Sequence, residues 1–182
     1  MKESNFSFVN NEILRQNIDE AFDHVITLLP FTESTTYNDP AKSAFRKTII
    51  IHTGSIVEAL LFHIIDVKFK DEDISDFYST WELKNKKTLY IIDDSHEIVA
   101  GEYNKILGKT SKEKMNLAQI ISFLKENKIL GKSLHDKVDK LRLLRNDQHI
   151  GTHTSVKSYT KVNLEEAFSV ASEVKQFVKN LK

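Results

Sequence analysis

The chain has 182 residues, 40% hydrophobic and 29% charged, with 5 Gly, 2 Pro and no Cys; that is the profile of one folded, helix-rich domain, and it excludes disulfide scaffolds, thiolate metal sites and cysteine nucleophiles. Lys plus Arg and Asp plus Glu each number 26, so no global field draws the protein to nucleic acid or an anionic membrane, and any such contact has to be local. The absence of Cys fits a reducing compartment, and the expected location is the cytoplasm.

The first ten residues hold no apolar run of signal-peptide length. Asn10 or Asn11 can cap a first helix, in which Leu14, Ile18, Ala21, Phe22, Val25 and Leu29 recur every three or four residues until Pro30. A Thr- and Ser-rich stretch then leads to Asp39-Pro40, which reads as an N-cap followed by Pro at the first helical position of a long helix reaching about Asp66. Within it, residues 49–65 form the most apolar segment of the chain, but His52, Glu58 and His63 interrupt it. It therefore reads as a buried core helix and not as a bilayer span.

The pattern changes between Lys68 and Gly108. Thr88-Leu-Tyr-Ile-Ile92 and Glu97-Ile-Val-Ala-Gly101 are β-prone runs joined by Asp93-Asp-Ser-His96, which predicts a small hairpin or irregular insertion over about residues 68–110. Helical periodicity resumes from Ser111 with Leu117, Ile120, Ile121 and Leu124 and ends near Asn127. Ser133 followed by Asp136 resembles a capping box and opens a helix expected to reach about His149, where Gly151 limits it. Asn163 is the expected cap of a last helix with Leu164, Ala167, Phe168, Ala171, Val174, Val178 and Leu181 on one stripe. The fold class is mainly α: one domain over residues 1–182, an antiparallel bundle of four to five helices carrying the insertion.

The helix after Ser133 carries the chemistry. At 100° per residue from Leu134, Val138 lies at about 40°, Leu141 at about 340° and Arg145 at about 20°. Arg145 thus occupies the centre of an apolar stripe, with Arg142 and His149 along one edge of it. A buried guanidinium is costly unless it meets an acid, a solvent cleft or a second subunit. Glu58, set in the apolar Ser55-Ile-Val-Glu-Ala-Leu-Leu61, is the candidate partner for Arg145 or Arg142, either as a plain structural salt bridge or as a residue that positions the Arg.

The segment Leu117 to Gly151, an apolar helix, a Lys-Ile-Leu-Gly link and a helix carrying Leu141-Arg-Leu-Leu-Arg-Asn-Asp-Gln-His149, resembles the C-terminal half of HEPN domains. That resemblance implies an all-helical fold, a homodimer and a metal-independent ribonuclease site built from Arg, four to six residues, and His. It implies catalytic roles for His149 with Arg142 or Arg145, and for Asn146 as the polar residue after the Arg. Arg142 has the family spacing to His149, whereas Arg145 has the following Asn, and both stay open as the catalytic arginine. A toxin or phage-defence role is implied, with RNA as substrate and an antitoxin or other protein as partner. The same resemblance also covers inactive modules that bind a protein or RNA.

Other signals are weaker. His149 and His153 share a helical metal spacing, but Gly151 lies between them and no third ligand is near, so neither metal nor cofactor is expected. His52 and His63 read as core or helix-face histidines. Lysines at 84, 86, 87, 105, 109, 112 and 114 could attract phosphate locally, although charge runs are mostly solvated surface. Phosphate loops, nucleophile elbows and dinucleotide fingerprints are absent.

Overall fold

The computed structural model describes residues 3–146 and 158–181. Mainly helical, with a small two-stranded antiparallel sheet, they divide into two compact units: Met1–Lys68 with Asn116–Lys182, and Phe69–Met115.

In the first unit α1 spans Glu12–Leu28, and Asn11 caps it by accepting from the Leu14 N–H at 3.0 Å. The helix does not run to Pro30: a 3-10 turn, Leu29–Thr32, takes over and places that proline where no helical N–H is needed. α2 spans Asp39–Lys68. Its cap is Asn38, whose Oδ1 accepts from Ala41 N–H at 3.0 Å, so Asp39, expected as the cap, is the first helical residue instead.

α2 is the hub of the unit. It packs against α1, the 3-10 turn, α4 (Leu117–Glu126), α5 (Lys132–Asn146) and α6 (Lys161–Asn180), and buries residues around most of its circumference. By length and composition α2 could cross a membrane, and 61% of its apolar window is buried within the protein, as a core helix requires. Arg46 on α2 donates to the Thr32 carbonyl at 2.8 Å and to the Glu33 carboxylate at 3.0 Å, while the Ser43 hydroxyl accepts from Tyr159 N–H at 2.8 Å. The start of α2 thus ties both the 3-10 turn and the approach to α6.

Asn116 and Gln119 form a reciprocal capping box on α4, each bond 3.0 Å long. Its C-terminus closes through Lys128 at φ 59°, after which the Ile129 and Leu130 N–H groups donate to the Leu124 carbonyl. α5 begins at Lys132, so Ser133, expected to open it, lies inside its first turn. α6 is capped by Thr160, three residues before the expected Asn163: the Asn163 side chain accepts from Thr160 N–H while Thr160 Oγ1 accepts from Asn163 N–H. Asn163 is the second half of the box, not the cap.

The second unit contains a short helix that hydropathy did not foresee, α3 (Asp71–Phe77), with three acids in its first turn. Its hairpin is far longer than the two β-prone runs, with β1 spanning Thr80–Asp93 and β2 His96–Ile106. Register runs from Thr80 opposite Ile106 through Leu83 opposite Tyr103 to Asp93 opposite His96, with irregularities that include a break between Lys84 and Lys87. Asn85, inside that break, sits at φ 51°, a left-handed conformation that Asn tolerates well. At the base, Gly108 and Ser75 exchange backbone and hydroxyl hydrogen bonds, and a Cβ at 108 would lie 2.6 Å from Tyr78 Cβ, so glycine alone permits this approach. Lys112 N–H reaches Asp71 and its ammonium reaches the Phe69 carbonyl, each at 3.1 Å.

Candidate functional site

Leu134, Val138 and Leu141 are the buried residues of α5, and the same stripe arrives one turn later at Arg145. Its guanidinium crosses onto α2 and donates to Glu58 Oε2 at 2.5 Å. The two side chains retain 23% and 26% of their exposure, so the pair sits at a partly wetted edge and not in the core. The expected Glu58–Arg145 partnership is therefore present.

The seat for Arg145 includes a residue the sequence reading passed over. Gly54 lies one helical turn before Glu58 on α2, and a Cβ there would stand 2.8 Å from Arg145 Cδ. Glycine in a helix interior costs about 0.5–1 kcal/mol relative to alanine. The available signal was the i, i+4 spacing of Gly54 and Glu58 inside an otherwise apolar helix, which puts a gap and an acid on one face.

Arg142 is held differently. Its Nε donates to Asp139 Oδ1 at 2.7 Å within α5, and the side chain is 22% exposed. The terminal nitrogens have no hydrogen bond to a described residue. Asp139 was also missed, although an acid three residues before an Arg on a helix is a readable pair. Asn146 is half-buried as the last described residue of α5; His149 and His153 lie outside the described residues.

Electrostatically the site is two guanidiniums near the C-terminal end of one helix, each oriented by a carboxylate from a different source. Oriented N–H donors of this kind match the oxygens of a phosphate. A separate cleft of about 540 Å³ opens between α5 and α6, lined by Lys137, Lys140, Leu141 and Leu144 with Glu166 and Val170. By helical angle it lies on the opposite edge of α5 from Arg142.

Elsewhere, no group of three metal-ligating side chains occurs among the described residues. His52 packs edge-on to His24 with centroids 5.1 Å apart, and its pKa is lowered first by burial and then by the neighbouring imidazole. His63 is buried, its Nδ1 without a hydrogen-bond partner among the described residues, and burial lowers its pKa against a smaller opposing pull from Asp66. Three of the four lysines in the hairpin strands are locally paired: Lys84 with Glu82, Lys86 with Glu97 and Lys105 with Asp76. Compared with protein-family models, curated proteins and solved structures, the chain has no match.

Proposed function

We propose that this protein is a HEPN-like ribonuclease that cuts RNA without a metal, with His149 as general base and Arg142 as the cation on the scissile phosphate. The observation that carries the reading is the constructed seat of Arg145: a helix-interior glycine, an acid in an apolar helix and a cation on an apolar stripe, all meeting at one point. A partly exposed ion pair contributes only on the order of 1 kcal/mol, and apolar residues of similar size would pack at least as well. What supports the reading is that the arrangement fixes a guanidinium at a partly wetted helix edge, where an anionic ligand can reach it.

Chemically, a neutral His149 takes the proton of a ribose 2′-hydroxyl as its oxygen attacks phosphorus. The 2′-O–P bond forms, the 5′-O–P bond breaks, the leaving 5′ oxygen takes a proton from water, and the His149 imidazolium returns its proton to the hydroxide so formed. Arg142, with its terminal N–H groups unclaimed by described residues, stabilises charge on the phosphate oxygens, while Arg145, held by Glu58, fixes the local field. In this reading Asn146 supports the strand of RNA at the helix end, two copies share one cleft in the cytoplasm, and a protein antitoxin restrains the activity.

The test is cleavage of RNA by purified protein in the presence of chelator. Wild type is expected to leave 2′,3′-cyclic phosphate and 5′-hydroxyl ends, and His149→Ala and Arg142→Ala are each expected to lose on the order of a hundredfold in rate or more. A second reading, an inert module that binds RNA or a protein, is favoured by one observation: both arginines already engage carboxylates. A folded wild type that binds RNA but leaves it intact, with binding lost in Arg142→Ala, selects that reading.

A further inference from the structure

α1 and α6 both pack along α2 yet hardly touch each other, and between them, over α2, lies a cleft of about 330 Å³. Helical spacing builds its walls. α1 turns Phe22, Ile26 and Leu29 to it and α6 turns Phe168, Ala171 and Lys175, each set recurring at three- and four-residue intervals on one face. Thr53 and Ile56 of α2 form the floor, and Phe6, in the turn before α1, meets Phe22 edge-on with ring centroids 5.8 Å apart. Ile26 and Leu29 stay 50% and 36% exposed, so the protein's own packing does not use up this apolar wall.

Two polar groups in the lining define what fits there. Thr53 keeps 2% of its exposure, and its Oγ1 has no hydrogen-bond partner among the described residues. Other helical hydroxyls behave differently: Thr27, Thr48 and Ser55 each donate to the carbonyl four residues earlier, at 2.8, 3.0 and 3.1 Å. A hydroxyl buried without a partner is costly, and valine would fill the same space without that cost. The floor therefore holds an unused hydrogen-bonding group. Lys175 is the only charged residue of the lining. Its ammonium lies 4.8 Å from the centroid of the Phe6 ring and forms no ion pair with a described residue. One cation on an apolar rim matches one negative charge on an apolar body, whereas a phosphate chain calls for several donors. The cleft's volume of about 330 Å³ sets the size of that body at about ten carbon atoms, taking each at roughly the 30 Å³ of a water molecule in the liquid.

We propose that this cleft binds a small monocarboxylic acid whose apolar body, of about ten carbons, carries one hydroxyl. The carboxylate pairs with the Lys175 ammonium, the body lies among Phe22, Ile26 and Phe168, and the hydroxyl meets Thr53 Oγ1. The proposal goes beyond the reading of α5 and uses none of its residues: Gly54 and Glu58 of α2 face Arg145, while Thr53 and Ile56 face the cleft.

The experiment is isothermal titration calorimetry of the full chain with decanoate and, in turn, with each monohydroxy derivative of decanoate. Wild type is expected to bind decanoate at one site with a Kd of about 0.1 mM, and at least one hydroxy acid about fivefold to tenfold tighter. Lys175→Met should weaken both about tenfold. Thr53→Val should erase the advantage of the hydroxy acid and leave decanoate unchanged. Ala171→Phe, which fills the cleft, should abolish binding of both. Helical circular dichroism and the urea midpoint check that each variant is folded, and the rim variant Lys175→Met and the isosteric Thr53→Val carry the test if Ala171→Phe is not. Wild type that binds decanoate more weakly than about 1 mM or at several equivalent sites, Lys175→Met that binds as tightly as wild type, or hydroxy acids that gain nothing over decanoate or gain as much in Thr53→Val each overturns the proposal.

Discussion

In the helical unit, α2 buries eleven of its 30 residues, whereas the strands of the β1–β2 arm, 14 and 11 residues long, bury none. Both contain strongly apolar sequence. The difference lies in what surrounds it: α2 is enclosed by α1, α4, α5 and α6, while β1 pairs, among the described residues, with β2 alone and its side chains are mostly exposed. Apolar runs of equal strength therefore do different work, one as core and the other as unclaimed surface, and substitutions should separate the two regions sharply.

The largest effect is expected at Leu60, fully buried on α2. Leu60→Ala should cost about 2–5 kcal/mol of unfolding free energy in urea, whereas Leu89→Ala on the arm should stay within about 0.5 kcal/mol when measured too dilute for association. A similar loss at both positions would erase the contrast. Next comes the junction of α2 and α5. Gly54→Ala alone should destabilise by about 1 kcal/mol as the new methyl group meets Arg145, yet in an Arg145→Ala background it should stabilise by about 0.5–1 kcal/mol, because only helix propensity remains. A double-mutant cycle reads this directly.

Acid should weaken the helical unit before it touches the arm. His52 and His63 have folded pKa values below the unfolded 6.5, so the unfolded chain binds protons first. Their contribution is full above that value and is lost as pH falls through it towards the folded pKa. The urea midpoint should therefore drop as pH is lowered from 7 towards 5.5, and His63→Gln should flatten that drop. On the arm the lowered groups are Asp93 and Glu97, held by hydrogen bonds from Ser95 and from Lys86 respectively, and their contribution disappears only below the ordinary carboxylate range. The smallest effect belongs to the exposed Lys137–Glu173 pair between α5 and α6: Glu173→Ala should change stability by no more than about 0.5 kcal/mol in denaturant titrations.

The helices were legible because their apolar spacing is strong: Ile18 and Val25, or Leu164, Ala167, Val174 and Val178, fall on the stripes their sequence marks and are buried there. The caps at Asn38 and Thr160 were each displaced because several cap-forming residues stand together, and which one caps depends on where the chain enters the helix. α3 escaped because seven residues with one buried side chain, Ile74, carry no periodicity. The stem of the hairpin escaped because Lys84-Asn-Lys-Lys87 and Glu102-Tyr-Asn-Lys105 are mostly polar residues of little intrinsic β preference and form strands through cross-strand pairing. At the candidate site, Arg145 and Glu58 could be paired from one dimension because each broke an apolar pattern. Gly54 and Asp139 could not, since their meaning depends on where the arginine stems lie.

The closure at the foot of the arm, where Lys112 meets Phe69 and Asp71 and Gly108 meets Ser75, bears on how the chain finds its fold. The helical unit is discontinuous in sequence, so α2 must find α4, α5 and α6 across the intervening Phe69–Met115 segment. Closing a loop of that length from a random coil costs about 3 kcal/mol of entropy. A hairpin with a two-residue turn zips in microseconds from local contacts, and once its foot is fastened the separation that α4 must search is already short. Loosening that fastening, as in Gly108→Val, should slow refolding of the whole chain more than it speeds unfolding of the helices.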